Sequence, residues 1–188
     1  MQSSRFKQLI VLYFLRSCYI IAVMIDTYNI KMVVLDVDGT MTDGSINVMD
    51  DGTQFKKFSA KDGLGIKMLL NQGIIVAIIS HSSTASAIEA RAKMLGIKYV
   101  YAGHEEKDVI LAGWLLELGL DWDQVAFIGD DLNDLPAMRK VGLSACPADS
   151  SQEVLEYVDV ILTTKGGDGC VREFIDQHMM VTYQKFTV

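Results

Sequence analysis

Cysteine, proline and basic residues are scarce in this chain of 188 residues. The three cysteines lie far apart, and the absence of a C-x-x-C pair argues against a zinc site or a redox couple and suits a reducing cytoplasm. Only two prolines occur, and no repeat or low-complexity tract divides the chain. The 17 basic residues face 24 acidic ones, and this net charge of −7 argues against general binding to nucleic acid or anionic membranes. Half of the residues are apolar, which is enough for a substantial core.

The N-terminal residues differ in character from the rest. Residues 9–25 are apolar except for Arg16 and Ser17. This run is barely long enough to cross a bilayer, and a central charge would cost roughly 2.5 to 3.5 kcal/mol on insertion. No small-x-small cleavage site of a signal peptide is evident. We interpret residues 1–30 as an N-terminal extension or a loosely docked apolar helix, with a membrane anchor or signal peptide as the alternative, and residues 31–188 as the domain.

From Lys31 onward, apolar segments rich in β-branched residues alternate with segments of helical spacing. The predicted strands cover residues 31–37, 74–80, 97–102, 124–129 and 158–163. This alternation predicts an α/β fold with a doubly wound, Rossmann-like parallel sheet. In such sheets ligands bind beyond the carboxyl ends of the strands, so the residues that follow each strand are the candidates for a site.

One segment, residues 44–59, breaks the alternation and is predicted to form a projecting β-hairpin. Apolar side chains would face one another across its Asp-Asp-Gly turn, namely Ile46, Val48, Phe55 and Phe58. A two-stranded hairpin buries little surface by itself, so this segment is expected to pair with another subunit.

Acidic residues follow two of the predicted strands. Asp36 and Asp38 come directly after the first strand, and the fourth strand is followed by Asp130, Asp131 and Asp134. Carboxylates that converge on one sheet edge repel one another unless a cation lies among them, and hard oxygen ligands favour Mg²⁺. The sequence therefore predicts a magnesium site at this edge.

Two further residues stand where phosphoryl transfer would need them. Ser80 ends the second predicted strand and could donate its hydroxyl to a phosphate oxygen, while Lys107 could neutralise charge beside a nucleophile. In that chemistry Asp36 attacks phosphorus to form an aspartyl phosphate, and Asp38 protonates the leaving alcohol and later activates water. The alternatives are a mere strand-end hydroxyl for Ser80 and a solvated helix residue for Lys107.

The segments DVDGT and GDDLND, together with Ser80 and Lys107, resemble the four motifs of the haloacid dehalogenase superfamily in the family's order. The resemblance implies that Asp36 is the nucleophile and Asp38 the acid/base, and that Ser80 and Lys107 bind phosphate. It also implies a magnesium ion held by the Asp36 carboxylate, the Asp38 backbone carbonyl and Asp130. The gaps between these motifs hold only the hairpin and single helices or strands, so neither gap can contain a cap domain.

Longer stretches narrow the resemblance to the capless 3-deoxy-D-manno-octulosonate 8-phosphate phosphatases of lipopolysaccharide biosynthesis and to relatives acting on nine-carbon ulosonate 9-phosphates. They include DVDGTMTDG, FSAKDGLGIKML, VAFIGDDLNDLPAM and GGDGCVREF. This resemblance implies a cytoplasmic homotetramer assembled through the hairpins, in which Gly166 and Gly167 reach a neighbour's active site. Lys61 and Arg91, in matching stretches, are further candidates for substrate binding.

Two departures leave the exact sugar phosphate open. The octulosonate phosphatases carry Thr-Gly-Arg where this chain has Ser-His-Ser-Ser at residues 80–83, and Asp168 replaces the Arg of their Gly-Gly-Arg-Gly. Both changes remove positive charge, so a nine-carbon ulosonate (KDN or sialic acid) 9-phosphate is the alternative substrate. A receiver-type phospho-acceptor signalling domain is the alternative of another class, and Asp38 argues against it because an acid/base shortens the life of the phosphorylated state.

Overall fold

The computed structural model describes residues 11–15, 18–22, 29–82 and 85–179. In chain order its elements are β1 (Val11–Leu15), β2 (Cys18–Ala22), β3 (Met32–Leu35), β4 (Asn47–Val48), β5 (Gln54–Phe55), α1 (Ala60–Asn71), β6 (Ile75–Ser80), α2 (Ala85–Leu95), β7 (Tyr99–Ala102), α3 (Lys107–Leu118), β8 (Val125–Ile128), α4 (Leu135–Met138), β9 (Leu143–Cys146), α5 (Gln152–Leu155), β10 (Val160–Ile161) and α6 (Cys170–His178).

Six parallel strands form the central sheet, in the order β10-β9-β8-β3-β6-β7. From β3 the chain builds outward to β6 and β7, then crosses back to lay β8, β9 and β10 on the other side. The winding direction therefore changes between β3 and β8, which is where doubly wound sheets bind their ligands. The predicted doubly wound α/β fold is confirmed, although the sequence analysis missed β9.

Helices cover both faces of this sheet. Val33 and Leu35 of β3 lie in one core with residues of α1, α2 and α6. The alternating residues Met32 and Val34 lie in a second core with residues of α3, α4 and α5. All four side chains are fully buried, as expected for a strand whose two faces are both covered.

The start of α1 is fixed by polar contacts to two other helices. The backbone N–H of Asp62 donates to the hydroxyl of Ser59, which caps the helix. The Asp62 carboxylate accepts a hydrogen bond from the backbone N–H of Arg172 in α6, at 2.8 Å. From α2, the Arg91 guanidinium donates to the Ser59 carbonyl at 3.0 Å.

The predicted hairpin is present as an antiparallel pair of its own, with Asn47 opposite Phe55 and Val48 opposite Gln54. Its strands have only two residues each, and Ile46 is 78% exposed. The expectation that Phe58 faces the first strand is wrong, because Phe58 packs against the main core instead.

The described part of the N-terminal segment is a second antiparallel pair, β1 with β2. A helix over these ten residues is therefore the wrong interpretation. The remaining residues of the predicted extension before Asn29 lie outside the described part, and its boundary at residue 30 stays a prediction. Among the residues that the structure describes, none of the helices has the length and apolar character needed to cross a membrane.

Candidate active site

Neighbouring strand ends bring the predicted residues to one place. Leu35 of β3 pairs with Ile78 of β6 and with Ile128 of β8. The next residue, Asp36, donates its backbone N–H to the Ile128 carbonyl at 2.9 Å and so lies beside the start of the loop that carries Asp130. The cluster at this position is called the acidic edge below; it consists of the buried Asp36, Lys107 and Asp134 and the half-buried Asp130.

Lys107 is the cation of the acidic edge. It begins α3, its side chain is fully buried, and its Nζ contacts Asp36 Oδ1 and lies 2.5 Å from Asp134 Oδ1. Burial acts to lower the pKa of Lys107, but the two carboxylates outweigh this effect and the pKa is raised. Lys107 is therefore a protonated, buried partner of the acidic residues and not a solvated helix residue.

Asp134 organises the loop between β8 and α4. One carboxylate oxygen accepts a hydrogen bond from Lys107. The other accepts hydrogen bonds from the backbone N–H groups of Asp130, at 3.0 Å, and Asp131, at 3.2 Å. A Cβ added to Gly129 would come within 2.4 Å of the Asp134 carboxyl carbon, so glycine is needed for this approach. Asp134 thus acts as a positioning residue that fixes both Lys107 and the acidic loop, whereas Asp131 is exposed.

Asp36 and Asp130 share an unfavourable environment for two negative charges. Burial, followed by the nearby charge of Asp134, raises the pKa of Asp36 well above its ordinary value. The same two causes raise the pKa of Asp130 to about 7. The Thr40 hydroxyl donates a hydrogen bond to the Asp130 carboxylate at 3.0 Å, which lowers this pKa but does not offset the rise. Charges buried in this way are unfavourable unless further positive charge compensates them.

The donor set fits a divalent cation. One carboxylate oxygen each of Asp36, Asp130 and Asp134 lies within 4.8 Å of the others, and such hard donors suit Mg²⁺. Gly39 has a φ of +95°, and a Cβ there would come within 2.0 Å of an Asp130 oxygen, so the glycine lets the two loops close on each other. Because both oxygens of Asp134 are already hydrogen-bonded, Asp36 and Asp130 are the better candidates to hold the ion. A contribution from the Asp38 carbonyl stays a prediction.

Asp38 follows Asp36 by two residues, and 37% of its side chain is exposed. Its carboxylate is paired with Lys56, whose Nζ lies 2.5 Å from Oδ1. Lys56 directly follows β5 of the hairpin, and the sequence analysis missed it. The segment FKKF contains two adjacent lysines, and no sequence signal tells which of them turns inward.

Ser80 and His81 end the neighbouring strand. Ser80 is buried at the carboxyl end of β6, the strand adjacent to β3, as its predicted role requires. His81 lies between two polar groups, with Nε2 2.7 Å from the Glu105 carbonyl and Nδ1 3.2 Å from the Asn133 amide nitrogen. A neutral imidazole protonated at Nε2 satisfies both contacts. His81 thus connects the loops that follow β6, β7 and β8, a contact that sequence reasoning did not anticipate.

Among the described residues, no hydrogen bond or ion pair joins the predicted substrate-binding side chains Lys61 and Arg91 to the acidic edge. Lys61 is exposed in the first turn of α1. Arg91 is half-buried, with its guanidinium directed to the Ser59 carbonyl and lying over the Phe58 ring at 5.6 Å. These contacts give Arg91 a packing role, and a role in substrate binding stays a prediction for both residues.

The glycine-rich segment packs on the loop that follows β3. Gly166 and Gly167 do not extend away from the chain; both are buried against its own loop after β3. A Cβ on Gly166 would come within 1.8 Å of the Gly39 carbonyl oxygen, and the Gly167 N–H donates to the Thr40 carbonyl at 3.0 Å. Whether these glycines also reach a neighbour's site, or contact substrate, stays a prediction.

Comparisons with known proteins agree with this geometry. A family model described as haloacid dehalogenase-like hydrolase matches residues 60–142. The 3-deoxy-D-manno-octulosonate 8-phosphate phosphatase KdsC of Escherichia coli strain B is 39% identical over 154 residues, which cover 82% of this chain and 81% of the relative.

Solved structures agree with the sequence matches. The Yersinia pestis enzyme of the same name matches with a TM-score of 0.79 and 38% identity, covering 88% of this chain and 91% of its own. The Moraxella catarrhalis enzyme, solved in complex with a magnesium ion, a phosphate ion and a KDO molecule, matches with a TM-score of 0.77 and 39% identity, covering 80% and 86%. These matches favour the hydrolase over the receiver-type alternative. The chain therefore belongs to the haloacid dehalogenase superfamily and, within it, to the family of the 3-deoxy-D-manno-octulosonate 8-phosphate phosphatases.

Proposed function

We propose that this chain is a Mg²⁺-dependent phosphatase that hydrolyses a 3-deoxy-ulosonate sugar phosphate of the 3-deoxy-D-manno-octulosonate 8-phosphate type. The observation that carries the proposal is the buried contact of Lys107 with Asp36, beside the second carboxylate of Asp130. This arrangement suits phosphoryl transfer because it places a carboxylate nucleophile beside a buried ammonium and beside a second carboxylate that could hold a divalent cation. The likeness to the Moraxella catarrhalis enzyme, which was solved with a magnesium ion and a KDO molecule, supports this choice of sugar and of metal.

In the first chemical step, an Asp36 oxygen attacks phosphorus and the bond between phosphorus and the sugar oxygen breaks. Asp38 gives its proton to the departing alkoxide, so that the free sugar leaves as an alcohol and Asp36 carries an aspartyl phosphate. The Lys107 ammonium has three N–H groups, of which two face Asp36 and Asp134, and the third can bind a phosphate oxygen together with the Ser80 hydroxyl.

In the second step, Asp38 accepts a proton from water as the water oxygen attacks phosphorus. The bond between phosphorus and Asp36 breaks, inorganic phosphate leaves, and Asp38 is again protonated for the next turnover. A magnesium ion held by Asp36 and Asp130 would supply the charge neutralisation that lets a carboxylate approach a phosphate dianion.

The test is release of inorganic phosphate from a panel of sugar phosphates with six, eight and nine carbons. We expect the highest kcat/KM with 3-deoxy-D-manno-octulosonate 8-phosphate in the presence of Mg²⁺, reversible loss of turnover with a chelator, and return with added Mg²⁺. Preference for a nine-carbon ulosonate 9-phosphate would change the assigned sugar, and the exposed Asp168 is the reason to include it. Turnover that persists without metal would contradict the proposal.

The same proposal includes a cytoplasmic homotetramer that supplies free sugar for lipopolysaccharide biosynthesis. Its support is the apolar surface of the hairpin, where Val48 is 60% and Phe55 51% exposed. Analytical ultracentrifugation should find a tetramer that Phe55→Asp dissociates. Met94→Asp is the matched control, since this side chain is equally apolar and 70% exposed but lies on α2. Dissociation by both variants, or by neither, would contradict assembly through the hairpin.

A further inference from the structure

The contact between the hairpin and Asp38 is unusual for a surface ion pair. The Lys56 side chain is only 10% exposed, and its Nζ lies 2.5 Å from Asp38 Oδ1. The adjacent Lys57 side chain is 65% exposed and reaches Asp43 at the longer distance of 3.3 Å. Of the two adjacent lysines, Lys56 is therefore turned inward against Asp38, whereas Lys57 faces solvent.

Holding Lys56 in this position has a free-energy cost. A long, flexible side chain loses rotamer freedom when it is fixed, and its ammonium loses hydration when it is covered. The contact that offsets this cost is made to the Asp38 carboxylate, which exchanges protons in both proposed chemical steps. Because the Lys56 ammonium holds Asp38 Oδ1, it restricts the orientations that this carboxylate can take.

We propose that Lys56 is a positioning residue for the second chemical step, holding the Asp38 carboxylate ready to activate water against the aspartyl phosphate. This inference rests on the proposed function. In the step concerned, the water oxygen bonds to phosphorus, the water proton passes to Asp38, and the electron pair of the breaking bond returns to Asp36. Lys56 neither gains nor loses a proton.

The test separates the two chemical steps with p-nitrophenyl phosphate, whose good leaving group depends little on an acid. The kcat/KM value reports the steps up to release of p-nitrophenolate, whereas kcat also includes hydrolysis of the aspartyl phosphate. For Lys56→Met we expect kcat to fall about tenfold while kcat/KM stays within about threefold. Rapid mixing should then reveal a burst of about one p-nitrophenolate per active site, because the first step outruns the second.

Two variants make the result specific. Lys57→Met, the neighbouring change at an exposed lysine, should leave both kinetic constants within about twofold of the unchanged chain. Lys56→Arg keeps the charge and should restore kcat to within about threefold of the unchanged chain. This rescue would indicate that the methionine variant lost a positive charge beside Asp38, not its fold.

Equal falls in kcat and kcat/KM without a burst would overturn the inference, because Lys56 would then act in binding or in the first step. Unchanged constants in both Lys56 variants would overturn it as well. A chain that releases no phosphate from any substrate, with Lys57→Met equally inactive, would instead overturn the proposed function together with this inference.

Discussion

The acidic edge and the hairpin of residues 44–59 are built on opposite principles. The acidic edge lies within the fold, where Lys107 and Asp134 are completely buried and hold each other by charge. The hairpin has two strands of two residues, and Ile46, Val48 and Phe55 face outward. The nucleophile and its buried cation are therefore part of the core, whereas the apolar surfaces suited to assembly lie outside it.

Replacing the nucleophile is the strongest test of this division. Asp36→Asn should lower the turnover of p-nitrophenyl phosphate at least about a thousandfold, because the amide cannot form the phosphoryl intermediate. The amide has nearly the same shape as the carboxylate, so circular dichroism should find the fold retained. Residual activity within tenfold of the unchanged chain would mean that the chemistry lies elsewhere.

The next comparison is between a buried and an exposed ion pair, each formed by a lysine. In metal-free buffer, Lys107→Met should lower the free energy of unfolding by about 3 to 5 kcal/mol, because it leaves two buried carboxylates without their cation. Lys140→Met removes a surface pair with Asp108, whose atoms are 2.8 Å apart, and should cost less than about 1 kcal/mol. Urea denaturation measures both values, and similar losses would refute a special role of burial.

Asp62 provides the smallest test, at the junction between the hairpin and α1. Burial raises the pKa of this carboxyl to about 6, and one of its oxygens has no hydrogen-bond partner among the described residues. The folded chain therefore binds this proton more tightly than the unfolded chain, whose carboxyl titrates near pH 4. The contribution of Asp62 to stability accordingly falls as the pH rises from about 4 to about 6.

Asp62→Asn removes this titration while keeping an acceptor for the Arg172 N–H. The variant should exceed the unchanged chain in free energy of unfolding by about 2 kcal/mol at pH 8, and the difference should vanish below pH 4. Urea titrations at several pH values measure this difference. A difference that is independent of pH would show that ionisation of Asp62 is not its cause.

The residues at strand ends could be predicted because the geometry of a parallel sheet leaves little choice. Once β3, β6 and β8 are adjacent, Asp36, Ser80 and Asp130 must lie at the same edge. The strand β9 escaped prediction because its sequence, LSAC, has small residues and no β-branched run.

Contacts made by loops could not be predicted in the same way. The inward turn of Lys56 depends on the length and twist of the hairpin, and the contacts of His81 depend on where two other loops end. For Gly166, sequence reveals that a close approach is needed but not whether the loop it approaches belongs to the same copy of the chain.

The close packing of Gly166 and Gly167 on the loop after β3 also has a consequence for folding during translation. The nucleophile is made early, but the segment that packs on its loop is made close to the end of the described chain. A nascent polypeptide that stops before residue 166 would contain every motif residue of the acidic edge and still lack that support. Translation must therefore pass this point before the enzyme can mature, since a domain folds as a unit.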